Sequence, residues 1–144
     1  MAVGPGLSGE FYPVSGIKLA AVKCEIRYPD RLDLVLIELA RNSRVAGVYT
    51  QNSFCAAPVT VAKAHSQNAS PRFFLINTGN ANAGTGECGK RHTLRCCQSI
   101  ADLGDVSLQQ VLPFSTGVIG EKLPVEKILA VAPDLYQELA ENGY

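Results

Sequence analysis

An apolar segment stops at two hydroxyl side chains and a glycine, Ser115, Thr116 and Gly117, within the run VLPFSTGVIGEKLP (111–124). A threonine hydroxyl and a glycine N–H that adjoin at a strand end can both point at one spot beyond the sheet. Two such donors aimed at a developing negative oxygen form an oxyanion hole, and glycine lets an acyl group approach closely. The alternative is a threonine that satisfies its own turn. The tripeptide alone does not decide between the two.

The run GTGECGKR (84–91) matches the GxxxxGK pattern of a phosphate-binding loop and lies between a predicted strand and a predicted helix. The match fails at Arg91, which stands where a serine or threonine hydroxyl would bind magnesium. A long loop also separates Gly84 from the strand end near Asn77. A turn and helix start that use glycine for its conformational freedom fit the same residues. A nucleotide-binding domain that depends on Lys90 stays open as an alternative.

Cys88, His92 and Cys96 are spaced four residues apart, which puts two thiols and an imidazole on one helical face. Three such ligands leave room for a fourth, as in a zinc site. A straight helix, however, separates Cys88 and Cys96 by roughly 12 Å at a rise of 1.5 Å per residue, which is too far for one ion. We interpret these cysteines as small buried apolar side chains, and we predict no metal and no cofactor.

The 144-residue chain carries thirteen basic and thirteen acidic residues and five cysteines. Balanced charge without a block of one sign excludes an electrostatic hold on nucleic acid or on an anionic membrane. No apolar run approaches the ~20 residues that span a bilayer, and the start of the chain has no basic region followed by an apolar core. An odd number of cysteines without paired CxxC spacing fits a reducing cytosol. We predict a cytoplasmic protein with free thiols and no nucleic-acid or membrane partner.

The patterns predict strands first and helices last. An apolar run, strict alternation of apolar and polar residues, or enrichment in aromatic and branched residues predicts each strand. The predicted strands are 32–39, 45–50 (paired with 32–39 as a hairpin), 58–65, 72–78 and 109–115.

A helix is predicted over 87–103 because Leu94, Cys97 and Ala101 fall on one face, and Gly104 should end it. A last helix should start at Pro124, break at Pro133 and resume until Gly143. This order of elements favours an α/β sandwich.

Several segments occur together in the order and spacing of the ornithine acetyltransferase family, also called glutamate N-acetyltransferase: GIK, RLDLVLIEL, AGVYTQNSFCAAPV, FFLINTGNANAGTGECG and STGVIGEKLPVEKI. From residue 16 to residue 128, the chain resembles the amino-terminal part of that enzyme. The resemblance implies a four-layer α-β-β-α sandwich of the autoproteolytic N-terminal-threonine acyltransferase type, to which this chain supplies the amino-terminal part. It also implies an enzyme of arginine biosynthesis that moves an acetyl group from N-acetylornithine to glutamate. Some members also accept acetyl-coenzyme A.

The family's precursor cuts itself just before a threonine, which becomes the first residue of a β chain and the nucleophile. Carried over to this sequence, the resemblance places the Thr116 hydroxyl and the Gly117 N–H in the oxyanion hole. An N-terminal threonine can use its own amine as the base, so neither His65 nor His92 has to act. The partner implied is the β chain of the same precursor, in an α2β2 heterotetramer.

The family's cleavage segment, an Ala-Thr-Met-Leu type stretch, is absent because the sequence ends at AENGY. We therefore expect residues 1–144 to be one portion of a domain, an α chain that is active only with its β chain. Asn77, Asn80 and Asn82 match the family, but their chemistry assigns them no role beyond a turn. A non-catalytic module that folds alone and binds a small acyl compound also stays open.

Overall fold

The structure, a computed structural model, describes residues 12–143. The start of the chain, where no leader is predicted, and Tyr144 lie outside this range. A short 3-10 turn, Leu108–Gln110, precedes the last strand. The described elements are, in order, β1 (Ile17–Val22), β2 (Leu34–Leu39), α1 (Ala57–Asn68), β3 (Phe73–Asn77), α2 (Gly86–Gly104), β4 (Val111–Ser115) and α3 (Val125–Gln137).

The strands form one sheet in the order β1-β2-β3-β4. The pairs β1–β2 and β2–β3 are antiparallel, whereas β4 runs parallel to β3 and is reached through α2. Asn77 lies opposite Ser115 in the parallel pair. The carboxyl ends of β3 and β4 therefore meet at the same end of the sheet.

One face of the sheet packs against α2 and α3. Because side chains alternate along a strand, every second residue of the sheet faces these helices. The contacts bury the following side chains in one apolar core: Leu34, Leu36, Phe73, Leu75 and Val111 from the sheet, Cys96, Cys97 and Ile100 from α2, and Ile128, Ala132 and Leu135 from α3. The described chain is thus an α/β structure, as predicted, with one sheet and helices packed on one side of it.

The opposite face of the sheet is also apolar but is only partly covered. On β2, β3 and β4, Leu39 and Leu112 of this face are buried. Five residues remain accessible, the first four of them half-buried: Val35, Ile37, Phe74, Ile76 and Phe114. The Phe74 and Phe114 rings meet edge to face at 5.3 Å, and Phe114 is 42% exposed. We call these five residues the outer face.

Three strands and a helix lie where the sequence predicts them. β2, β3 and β4 fall within the predicted ranges 32–39, 72–78 and 109–115, and α2 extends the predicted 87–103 by one residue at each end. The helix ends at Gly104, and Asp105 takes a left-handed conformation with φ 47°. β1 is an additional strand that no sequence pattern predicted.

The prediction of a strand over 58–65 is wrong, because these residues lie within α1. The alternating valines are also compatible with helical spacing, and the buried residues are Pro58, Val61, Ala62 and His65. Pro58 sits in the first turn of the helix, where its missing N–H leaves no carbonyl unpaired.

The predicted hairpin between 32–39 and 45–50 is also wrong. Residues 45–50 form no strand, and both edges of β2 are already paired with β1 and β3. Val48 is fully exposed, whereas the Tyr49 hydroxyl lies 2.8 Å from the Ser66 hydroxyl of α1. The segment therefore packs against a helix and does not join the sheet.

The last helix is continuous through Pro133, contrary to the predicted interruption. Proline cannot donate the i→i−4 hydrogen bond, so the helix gives up one bond at this position. The burial of Ile128, Ala132 and Leu135 on both sides of the proline holds the helix against the sheet. The helix ends at Gln137, before the predicted limit at Gly143. Among the described residues, no helix is both long and apolar enough to cross a membrane.

Candidate functional site

The turn that follows β4 carries the predicted oxyanion donors, and we call residues 116–118 the donor turn. The Thr116 N–H donates to the carbonyl of Asn77 at 3.0 Å. The Val118 N–H donates to the carbonyl of Gly79 at 3.3 Å. The donor turn is therefore fastened by its backbone to the loop that follows β3.

Gly117 occupies a position that no other residue fits. Its φ is +135°, in a region that favours glycine. A Cβ at this position would lie 2.3 Å from the carbonyl carbon of Gly79 and 2.5 Å from the nitrogen of Asn80. The backbone of the donor turn consequently rests directly on the Gly79–Asn80 peptide.

Both predicted donors are free to bind a ligand. Thr116 and Gly117 are exposed. Within residues 12–143, neither the Thr116 hydroxyl nor the Gly117 N–H has a hydrogen-bond partner. A threonine that only forms a turn bonds its hydroxyl to the nearby backbone. The Thr116 hydroxyl makes no such bond. Two unpaired donors thus adjoin at the carboxyl end of β4.

Two buried asparagines join the donor turn to the surrounding loops. The Ser115 hydroxyl donates to Asn77 Oδ1 at 2.5 Å, and Asn77 Nδ2 donates to the carbonyl of Asn80 at 2.8 Å. Asn80 Nδ2 donates to the carbonyls of Glu121 and Lys122, both at 3.2 Å. The side chains therefore hold the chain on both sides of the donor turn.

Asn82 connects this loop to α2. It is fully buried with φ 47°, so the predicted tolerance of asparagine for a left-handed backbone is used here. Its Nδ2 donates to Thr93 Oγ1 at 2.8 Å and to the carbonyl of Gly89 at 3.0 Å, while its Oδ1 accepts from Thr85 Oγ1 at 2.8 Å. From the sequence, these asparagines predicted only a turn. Their role in the network could not be predicted, because most partners of Asn77 and Asn80 lie about forty residues away in the chain.

The GTGECGKR segment starts α2 and does not form an open phosphate-binding loop. The helix begins at Gly86, so Gly89 and Lys90 already lie inside it. A Cβ on Gly89 would lie 2.6 Å from Asn82 Oδ1, so the backbone there is closed by packing. Lys90 borders an open cavity of about 400 Å³, which Glu87 also lines with a carboxylate that would repel phosphate. These contacts do not favour the nucleotide-binding alternative.

Cys88, His92 and Cys96 do not converge. Cys88 Sγ lies 3.5 Å from His92 Nε2, whereas Cys96 is buried in the core between α2 and the sheet. Burial raises the pKa of the Cys96 thiol to about 12, so this thiol stays protonated. Among residues 12–143, no three His, Cys, Asp or Glu side chains are grouped as metal ligands, and all five cysteines are free.

Comparison with known proteins gives one consistent result. Residues 18–143 match the family model described as the ArgJ family. All of the chain aligns with the "Arginine biosynthesis bifunctional protein ArgJ" of Pseudomonas syringae pv. tomato at 52% identity and with that of Psychrobacter arcticus at 49%. The alignments cover 35% and 36% of those relatives, so the chain spans about a third of their length.

A solved structure shares the fold. It is the ornithine acetyltransferase of Mycobacterium tuberculosis in complex with ornithine, which superposes with a TM-score of 0.84 at 32% identity. The superposition covers 90% of this chain and 70% of that one.

Proposed function

The chain belongs to the ArgJ family, and we propose that it forms the amino-terminal part of an acetyltransferase that moves an acetyl group from N-acetylornithine to glutamate. The observation that carries the proposal is the pair of unpaired donors, the Thr116 hydroxyl and the Gly117 N–H, at the end of β4. Donors of this kind act where negative charge develops on an acyl oxygen. The proposed substrates follow from the resemblance of the surrounding segments to the ornithine acetyltransferase family.

The donors have a defined task in such a reaction. A threonine hydroxyl supplied from outside this chain attacks the acetyl carbon of N-acetylornithine, and its proton passes to the threonine's own amine. The acetyl oxygen becomes an anion, which Thr116 and Gly117 stabilise. The carbon–nitrogen bond then breaks, the ornithine nitrogen takes up the proton, and an acetyl-threonine ester remains. The amine of glutamate attacks that ester through a second oxyanion in the same hole. The ester carbon–oxygen bond breaks, the threonine oxygen takes up the proton lost by the glutamate nitrogen, and N-acetylglutamate leaves.

The rest of the enzyme belongs to the proposal too. The nucleophilic threonine would head a β chain produced by autocatalytic cleavage of a common precursor, in an α2β2 assembly. The outer face supports this, because an apolar sheet face that is only partly covered is suited to pack against a second sheet. Residues 1–144 would then supply half of the four-layer sandwich and would be active only with the β chain. Five free thiols support a cytoplasmic location, where a reducing environment keeps thiols reduced.

Single-turnover acetyl transfer in the complete enzyme tests the proposal. In Thr116→Ala the hydroxyl is lost but the Gly117 N–H remains, so the acetyl-threonine ester should form and decay about 10²–10³-fold more slowly. Affinity for N-acetylornithine should change little. Thr116→Ser keeps the hydroxyl and should restore much of the rate.

Lys90→Ala is the matched control. Lys90 is exposed and lies outside the donor turn. Its removal should leave the activation free energy of acetyl transfer within about ±0.5 kcal/mol of that of the original enzyme. Normal turnover by Thr116→Ala, or equal failure of both Thr116 variants through unfolding, would show that Thr116 is a packing residue. A large loss in folded Lys90→Ala would instead favour the phosphate-binding alternative.

A further inference from the structure

Asn80 is a polar side chain whose bonds all go to the protein. It is only 3% exposed. Its Nδ2 donates to two carbonyls, those of Glu121 and Lys122, and its Oδ1 accepts the N–H of Asn82 at 2.7 Å. A primary amide satisfied on both its nitrogen and its oxygen has little left to offer a ligand. Asn80 is therefore a part of the scaffold and not of a binding surface.

The backbone of the same residue supports the donor turn from below. Gly117 rests on the Gly79–Asn80 peptide, which leaves no room for a Cβ. The Ala81 N–H donates to the carbonyl of Val118 at 2.9 Å. Asn80 consequently touches the turn with its main chain and holds residues 121 and 122 with its side chain.

Asn77 secures the other end of the turn and ties it to Asn80. Its carbonyl accepts the Thr116 N–H, its Oδ1 accepts the Ser115 hydroxyl, and its Nδ2 donates to the carbonyl of Asn80. The two asparagines thus bond the residue before the donors, the residues after them and each other.

We propose that Asn80, together with Asn77, is a positioning residue that fixes the direction of the Thr116 and Gly117 donors without touching substrate. Oxyanion donors must stay unpaired in the free enzyme, so the donor groups themselves cannot hold the turn in place. Preorganisation then has to come from neighbouring groups, and a displacement of about 1 Å can cost roughly a hundredfold in rate. This inference rests on the proposed acetyl transfer.

Asn80→Asp in the complete enzyme is the first test. The carboxylate still accepts the Asn82 N–H. It has no amide N–H groups to donate to the carbonyls of Glu121 and Lys122, and its negative charge faces those carbonyl oxygens. We expect kcat to fall about tenfold or more while KM for N-acetylornithine stays within about twofold, since donor placement acts in the transition state.

Asn68→Asp is the matched control for Asn80→Asp. Asn68 also donates its amide to a carbonyl, that of Ala64 at 2.6 Å, but it lies exposed at the end of α1. Its kcat should not change. A rise in KM at constant kcat for Asn80→Asp would overturn the inference.

A double substitution separates positioning from stability. If Asn80 acts through the donors, Asn80→Asp should cost less in a Thr116→Ala background than in the original enzyme, because one of the two donors is already gone. A residue that only stabilises the fold would cost the same factor in both backgrounds. Multiplicative losses would therefore overturn the inference.

Amide hydrogen exchange tests the same arrangement without any turnover. In Asn80→Asp, protection of the bonded amides of Thr116, Val118 and Gly120 should fall, while that of α3 stays unchanged. Unchanged or uniformly lowered protection would overturn the inference. If the original enzyme transfers no acetyl group, the proposed function fails, but this measurement still decides whether Asn80 holds the turn.

A milder variant covers the case in which Asn80→Asp does not fold. Ser115→Ala deletes only the bond to Asn77 Oδ1. It should lower kcat and the protection of the same amides in the same direction but less strongly. No change in either quantity would overturn the positioning role of this network.

Discussion

At the residue scale, Gly117 links conformation to chemistry. Two separate demands fall on this glycine, a left-handed φ of +135° and close contact with the Gly79–Asn80 peptide. The sequence predicts a donor role for its N–H. The absence of space for a side chain became visible only in the structure, because the peptide beneath it lies almost forty residues earlier in the chain.

Gly117→Ala and Gly120→Ala make a matched pair that separates those two demands. Gly120 also has a positive φ, of +84°, but a Cβ there meets nothing within 4 Å. We expect Gly120→Ala to cost about 1–2 kcal/mol in the free energy of unfolding from backbone strain alone. Gly117→Ala should cost about 1–3 kcal/mol more from the collision, and acetyl transfer should fall with it.

Urea unfolding of the complete protein gives both free energies, and steady-state acetyl transfer gives the rates. Equal free energies for the two variants would mean that the donor turn can move away from Gly79 at no cost. The close contact of Gly117 with the Gly79–Asn80 peptide would then not determine where the donors point.

At the element scale, α1 protects the open edge of the sheet. β4 is an edge strand, and His65 of α1 is buried with its Nδ1 2.7 Å from the carbonyl of Val111. The imidazole thus pairs a backbone group that the sheet leaves unused. Exposed edge groups invite pairing with other chains, and a helix laid over the edge prevents it.

His65→Ala should therefore destabilise the protein without touching the donors. It leaves the buried Val111 carbonyl unpaired, which costs about 1–3 kcal/mol. Gln67→Ala, on an exposed position of the same helix, is the control and should stay within about ±0.5 kcal/mol. Thermal unfolding compares the two, and a His65→Ala variant as stable as the control would contradict the capping role.

The same helix shows why local patterns failed in part. The alternation of Val59 and Val61 with Thr60 and Ala62 fits a strand, but the burial of Pro58, Val61, Ala62 and His65 follows the helical repeat. Only the partner, the edge of β4, decides between the two periods. β2, β3 and β4 were predictable because each is a short apolar run bounded by turn residues, and a run of five or six residues is too short for a typical helix.

At the scale of the whole molecule, the family resemblance is confirmed by the match over residues 18–143 and by the shared fold. The α/β class was therefore predictable from motifs. The position of the strands was less so, since β1 was not predicted and 45–50 was wrongly added. Hairpin pairing depends on which edges are free, and local sequence does not show that β1 and β3 occupy both edges of β2.

The outer face leads to a prediction for residues 1–144 expressed alone. Because this apolar face is only partly covered, the isolated chain should self-associate and bind a hydrophobic dye. Phe114→Ser should reduce both, since Phe114 is the most exposed residue of the outer face. Val48→Ser removes a still more exposed apolar side chain outside the sheet and should change neither. Analytical ultracentrifugation measures the self-association, and dye fluorescence measures the exposed apolar surface. A chain that is monomeric and binds no dye would contradict the proposed docking of a second sheet.

The order of the strands in the sheet has a consequence for synthesis on the ribosome. Since β1, β2, β3 and β4 are neighbours in the order in which they are translated, each new strand can be added to one that has already left the exit tunnel. Within residues 12–143, the outer edge of β1 finds its partner late, because Leu19 exchanges hydrogen bonds with Ala140 at 2.8 and 3.1 Å, some 120 residues later. The nascent chain should therefore expose this strand edge until the turn after α3 emerges, and unpaired strand edges are prone to pair with other chains.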